Sequence, residues 1–149
     1  MPEISIERLP DASRPLLDKF YRSHRSPMRL PAGGQAWVAR QAQIIGALCL
    51  TPVDHGHWLT GLFVAPAWQG QGVAGCLIDG AQAGQPGPLW LFCHPSLTAF
   101  YARRGFTLAP ELPARLRERL ARYQQHKALL AMLRVSHPPV DQARETTLR

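Results

Sequence analysis

Gly70 and Gly72, followed by Val73, Ala74, Leu77, Ile78 and Ala81 at helical spacing, carry the clearest chemical signal in this chain. They predict a tight loop over Gln69 to Gly72 and a helix that starts at about Gly72. The first amide N–H groups of a helix lack intrahelical acceptors and carry the positive end of its dipole, so such a loop holds anions, phosphates above all. Glycine lacks a Cβ, which lets the backbone turn sharply and come within hydrogen-bonding range of a pyrophosphate. The run Gly70-Gln71-Gly72-Val73-Ala74-Gly75 also matches the dinucleotide fingerprint G-x-G-x-x-G. That fingerprint requires a carboxylate about twenty residues further on, at the end of the next strand, to hold a ribose hydroxyl. Here the next candidate strand, Leu89 to Cys93, ends in His94-Pro95, and the only carboxylate between Gly75 and Pro110 is Asp79 on the helix.

The same loop reads as Gln69-x-x-Gly72-x-Ala74, after a strand ending in Val64-Ala65-Pro66. About twenty residues later comes His94-Pro95-Ser96-Leu97-Thr98-Ala99-Phe100-Tyr101-Ala102-Arg103-Arg104-Gly105-Phe106. With both motifs in this order, the stretch from Trp58 to Phe106 resembles the GNAT superfamily of acetyl-CoA-dependent N-acetyltransferases. In that family the loop reads Gln/Arg-x-x-Gly-x-Gly/Ala, and a later helix reads Asn-Pro-x-Ala-x-x-x-Tyr-x-x-x-Gly-Phe. His94 stands where the family usually has Asn, which concerns a side-chain contact to the pantetheine arm, and Leu97 stands where it usually has Ala, a packing position.

The resemblance implies an α/β (α+β) chain with the GNAT fold. Its single mixed, strongly twisted sheet has about six or seven strands, is flanked by about four helices and opens a V-shaped cleft between two central parallel strands. It implies acetyl-CoA as cosubstrate, bound by Phe63, Val64, Gln69, Gly70, Gln71, Gly72, Val73, Ala74, His94, Ser96 and Tyr101. It further implies transfer of the acetyl group to a primary amine, on a small molecule or a peptide, by direct attack in a ternary complex. A backbone N–H near Phe63 or Val64 would polarise the thioester oxygen. Tyr101 stands where the family often places the general acid, and a phenol with an ordinary pKa near 10 is protonated at neutral pH and can donate to the departing sulfur.

A general base is not evident. The strand that often carries a Glu in this family has none, which leaves His57, His55, Asp54 and Glu111 as candidates, or an amine already deprotonated, or a water relay. His55-x-His57 lacks a third ligand, so no metal is expected. His94 either contacts coenzyme A or caps a helix. Two other functions stay open: an acyl-CoA-binding domain without turnover, and a nucleic-acid-binding module built on the Arg-rich helix around Arg115 to Arg122.

The elements that must position these groups follow from periodicity and punctuation. Ile4 and Ile6 alternate in a first strand, Glu3 to Leu9, and a helix capped by Asp11 or Ser13 presents Leu16, Leu17, Phe20 and Tyr21. Arg22 to Gly34 reads as a loop whose Arg22, His24, Arg25 and Arg29 could meet an acidic acceptor, since this region commonly lines the acceptor site in the resembled family. Gln35 to Arg40 and Gln43 to Leu50 form a hairpin, Pro52 to Gly56 a turn, and Trp58 to Val64 the strand before the loop. The helix to about Ala83 contains Gly75 and Gly80, for which close packing against the sheet is the expected reason. Leu89 to Cys93 returns parallel to Trp58 to Val64, so the cleft should open at their C-terminal ends. Ser96 is the expected N-cap of a helix whose Leu97, Phe100, Tyr101 and Arg104 share a face, and Gly105 is its left-handed cap. An amphipathic helix starts around Pro113, and Ala128 to Val135 is the expected last strand, inserted into the sheet.

The length of 149 residues sets one domain as the default, assigned to residues 1–135, with a polar tail expected at residues 136–149. No apolar run approaches the roughly 18 residues a membrane span needs, and Glu3 and Glu7 interrupt any secretory leader. Cys49, Cys76 and Cys93 have no C-x-x-C spacing and lie in apolar segments, so buried reduced thiols in a cytoplasmic protein are expected. The net charge of +7 suits an anionic ligand or partner. A homodimer is compatible with the resemblance, since such domains often dimerise.

Overall fold

The computed structural model of the chain describes residues 3–135, so the expected tail lies outside the described residues. Strand β1 (Ser5–Leu9) leads into helix α1 (Arg14–Ser23), whose Leu17, Phe20 and Tyr21 are buried at helical spacing. Neither Asp11 nor Ser13 caps α1 through its side chain. The helix is instead opened by a 3-10 turn over Asp11–Ser13, in which the Ser13 N–H donates to the Pro10 carbonyl at 2.8 Å, and by Pro15 in the first turn.

Strands β2 (Gln35–Gln41), β3 (Gln43–Val53) and β4 (Gly56–Val64) form an antiparallel meander. Its first turn lies at Ala42, in the left-handed region, and its second at Asp54. The second turn comes later than Pro52 suggested. Beyond Leu50 strand β3 has passed the end of β2 and is bonded only to β4, so the N–H that Pro52 lacks is not required by a second neighbour. Helix α2 (Val73–Gly84) returns the chain to β5 (Leu89–Cys93), which lies parallel to β4 as expected. Helix α3 (Thr98–Ala102), the two-residue β6 (Thr107–Leu108), helix α4 (Ala114–Tyr123) and β7 (Leu130–Arg134) follow.

The resulting seven-stranded mixed sheet runs β1-β2-β3-β4-β5-β7-β6, with β7 inserted beside β5. Four α-helices among the described residues flank it, as the resemblance implies. One face is the larger core, where Leu48, Leu50, Leu59, Leu89 and Leu91 meet Val73, Leu77, Ile78 and Ala81 of α2. On the other, Leu17, Phe20 and Tyr21 of α1 cover Val38, Ala47 and Cys49, and Leu116 of α4 covers Trp58 and Trp90. No described helix is long and apolar enough to cross a membrane.

Two expectations about small residues change. Cys49 and Cys93 are buried but Cys76 is exposed, because it lies on the outer side of α2 between Val73 and Leu77. Gly80 does pack closely, since a Cβ there would lie 2.6 Å from Ile6 Cγ2. Gly75 does not, its nearest neighbour being Arg104 Nε at 4.0 Å, whereas Gly84 lies directly against the rigid Trp37 ring. Gly80→Ala and Gly84→Ala should therefore each destabilise the fold by about 1–3 kcal/mol through overpacking, whereas Gly75→Ala should stabilise it by up to ~1 kcal/mol through helix propensity. Thermal or urea unfolding of the three variants checks this.

Candidate active site

Strands β4 and β5 are paired at only two positions, His57 with Leu89 and Trp58 with Trp90. Further on, β4 stays bonded to β3 while β5 is bonded to β7, and the two central strands part. On β4 the divergence coincides with a bulge. Cys49 pairs with Thr60 but Ala47 with Phe63, which leaves one extra residue on β4, and Gly61 takes the left-handed conformation at φ 66°. The extra residue resets the alternation, so Leu62 and Val64 face α2 while Phe63 faces α1.

The bulge is held from the α1 side. The buried Tyr21 hydroxyl donates to the Gly61 carbonyl at 2.6 Å and lies 3.7 Å from Cys49 Sγ. Burial, and then the neighbouring Cys49, push the Tyr21 phenol far above its ordinary range, so it remains a donor. Burial likewise raises the Cys49 thiol to about 11, against a lowering by the Tyr21 hydrogen bond.

After β4 a short 3-10 turn, Pro66–Trp68, leads into the glycine loop. Gly70 and Gly72 have φ 79° and 83°, and a Cβ on either would meet nothing within 4 Å. These glycines are required by backbone conformation, and the space above them is open to a ligand. Gly72 is the N-cap of α2 and makes no side-chain cap bond, so the first N–H groups of the helix face that space. Gln69 Nε2 donates to the Val64 carbonyl at 2.9 Å, tying the loop to the end of β4. Gln71 turns away and donates to the Ala67 carbonyl.

Helix α3 forms the opposite wall. Its approach is a 3-10 turn over Pro95–Leu97, whose N-cap is His94, not the expected Ser96. Pro95 has no N–H, so the first free donor is that of Ser96, and His94 Nδ1 accepts it at 3.1 Å. Tyr101 packs edge-on against Phe106, with ring centroids 5.6 Å apart, and Gly105 at φ 92° closes the helix. Burial, and then the nearby Cys93, push the Tyr101 phenol up to about 12, with Arg104 acting in the opposite direction. Arg104 Nη1 donates to the Phe100 carbonyl at 2.6 Å while its guanidinium lies 3.7 Å above the Phe100 ring. Its Nε is buried without a hydrogen-bond partner among the described residues.

These elements enclose a cleft of about 400 Å³. Of the residues expected to form a site, Phe63, Val64, Gln69, Gly70, Gly72, Val73, Ala74 and Tyr101 line it, whereas Gln71, His94 and Ser96 do not. Leu62, Trp68, Leu97, Phe100 and Arg104 line it as well. The Phe100 and Arg104 contribution had a signal in the sequence, since both share a helical face with Tyr101. The four base candidates lie elsewhere. Asp54, His55 and Glu111 border a separate hollow at the start of β4. His57 is five residues before Leu62, roughly 16 Å along the strand, and burial lowers its pKa and keeps it neutral. No group of three or more potential metal ligands exists among the described residues.

Comparison with known proteins agrees with this geometry. The acetyltransferase (GNAT) domain family profile matches residues 32–108. The chain belongs to the GNAT family. Among curated proteins none matches the chain. Many solved structures share the fold. A GNAT-family acetyltransferase from Staphylococcus aureus superposes with a TM-score of 0.58 at 16% identity, over 89% of this chain and 98% of that one. A Mycobacterium tuberculosis protein solved with CoA gives 0.64 at 16% identity, over 89% and 99% of the two chains. The N-acetylglutamate synthase of Neisseria gonorrhoeae, solved with coenzyme A and L-arginine, gives 0.66 at 19% identity. This GNAT chain covers 93% of its own length there but 34% of the synthase.

The left-handed backbone at Gly72 makes the loop sensitive to a single methyl group. Gly72→Ala should weaken coenzyme A binding at least tenfold by forcing the N-cap out of its conformation, while the unfolding midpoint moves little. Calorimetric titration beside thermal unfolding measures both.

Proposed function

We propose that this GNAT chain is an N-acetyltransferase that transfers the acetyl group of acetyl-CoA to a primary amine by direct attack in a ternary complex. The observation that carries the reading is a cleft with three walls of different chemistry. The bare N-terminus of α2 forms one, the β4 edge beyond its last bond to β5 another, and Tyr101 stands in the third. Open space above Gly70 and Gly72 fits a pyrophosphate, which the amides opening α2 would hold. Arg104 adds positive charge in the turn that follows the facing helix, where it makes no ion pair among the described residues.

In this reading the backbone near Phe63 and Val64 polarises the thioester carbonyl, and its donors are fixed in advance by the bulge. Tyr101 donates its proton to the departing sulfur. Its raised pKa, pushed up to about 12, keeps it protonated throughout the neutral range.

The acceptor approaches from the α1 face, where Arg22, Arg25 and Arg29 surround a hollow whose only acidic residue is Asp18. This supports an amine that also bears an anionic group, such as an amino acid or an acidic peptide. The likeness to an N-acetylglutamate synthase is in keeping with that class. In helix α4, which could otherwise offer cations to a nucleic acid, Arg119 lies 4.8 Å above the Trp58 ring and Arg117 donates to the Leu112 carbonyl. Three free cysteines, two of them buried, suit the reducing cytoplasm.

Calorimetry with acetyl-CoA and coenzyme A, followed by an amine panel read by free-thiol release, tests the proposal. Binding without thiol release from any amine would instead support a domain that holds acyl-CoA without turnover. Tyr101→Phe should lower kcat by about 10²-fold with little change in coenzyme A affinity. Because the phenol stays protonated until about pH 12, wild-type kcat should show no alkaline loss from Tyr101 below about pH 11.

A further inference from the structure

The proposed reaction needs a group to take a proton from the acceptor ammonium, and the candidates read from sequence lie at the far end of β4. We infer that His24, at the C-terminal end of α1, is that general base; the inference rests on the acetyl-transfer reading above. Its ring packs against Phe63 with centroids 5.6 Å apart, and Phe63 lines the cleft. Phe63 is also the residue that the Gly61 bulge turns toward α1, so His24 stands on the acceptor side of the strand that would present the thioester.

The tautomer follows from the hydrogen bonds. His24 Nδ1 lies 3.0 Å from the Phe20 carbonyl oxygen, which only accepts, so Nδ1 carries the proton. Ser23 Oγ donates to the same carbonyl at 2.9 Å and leaves a lone pair toward Nδ1 at 3.2 Å. The neutral ring therefore has its basic lone pair on Nε2, the atom turned away from the helix backbone. This is how an orienting acceptor fixes a catalytic imidazole: one nitrogen is pinned as donor and the other is left to accept. The half-buried ring packs at a tilt against Phe20, with centroids 5.0 Å apart, as well as against Phe63, so it is held from two sides. Arg22 and Arg25 are the charged residues beside it on its own segment, and the strand packed against it presents the uncharged Phe63 ring.

The proton balance is complete without a further reagent. Nε2 takes one proton from the ammonium group, and the freed lone pair forms the N–C bond as the carbonyl π bond opens onto oxygen. The carbonyl re-forms as the C–S bond breaks, and the sulfur takes the Tyr101 proton. The second proton of the attacking nitrogen returns to the Tyr101 phenolate, and His24 releases the first to water.

His24→Asn separates this role from helix capping, because the Asn Nδ2 can still donate to the Phe20 carbonyl while the Nε2 lone pair is lost. Turnover should fall by about 10²-fold, with coenzyme A affinity and the unfolding midpoint near wild type. In His24→Asn, kcat/KM should instead rise with pH along the ionisation of the amine, because only an amine that has already lost its proton can then attack. Added imidazole should restore part of the turnover of His24→Ala. Turnover of His24→Asn within threefold of wild type, or a loss matched by lost stability, would make the residue a helix cap and overturn the inference. If the wild type binds coenzyme A but releases no thiol with any amine, the acetyl-transfer reading fails and the role of His24 fails with it.

Discussion

Strands β4 and β5 exchange hydrogen bonds at two positions and then part, and the rest of the cleft depends on that separation. Backbone polar groups inside a protein need partners, so two central strands can diverge only if each is secured on its other side. Here β4 is held by β3 and β5 by the inserted β7. The inner edge of β4 is thereby left with N–H and C=O groups facing a space that a ligand can fill. A sheet of fully paired strands would have no such opening.

The bulge at Gly61 gives the opening two distinct sides. One extra residue turns Phe63 toward α1 and leaves Leu62 and Val64 facing α2, so a single strand end meets both helices. On the α2 side lie the glycine loop, the helix N-terminus and Arg104, all suited to phosphates. On the α1 side lie His24 and a hollow rich in arginine, suited to an acceptor. The Tyr21 hydroxyl connects α1 to the bulge itself, so the packing of the first helix bears directly on backbone geometry in the cleft. A buried phenol donating to a carbonyl is a stiff link, since breaking it would leave the hydroxyl with only the weak acceptor Cys49 Sγ.

Much of this was legible because the relevant signals are local. The loop, the α2 start and the Tyr101 face rest on residue types at short spacing, and the parallel return of β5 follows from the shortness of the strand-helix-strand connection. Part of the rest depends on residues far apart in sequence. The bulge needs Cys49 and Ala47 to be set against Thr60 and Phe63, and nothing in Leu59 to Leu62 announces it except a glycine. The apolar neighbours of Cys76 suggest burial, yet the helical period turns it outward. Residue type points to Ser96 as the cap, whereas with no N–H on Pro95 that role falls to His94. Gly75 looked like a packing glycine and has room for a methyl group, while Gly84, which does pack tightly, gave no cue without Trp37 beside it.

The sequence alone determined the family resemblance, the order of the elements and the place of the anion loop, since glycine spacing and apolar periodicity act within a few residues along the chain. Only the tertiary structure decided which polar groups share a site. Strand direction carried Asp54, His55 and His57 to the end of β4 remote from the cleft and brought His24 beside Phe63, from a residue thirty-nine positions away in the chain. The physical reason is that an extended strand separates its two ends by roughly 3.3 Å per residue, whereas packing helix against sheet closes such distances without any trace in local spacing.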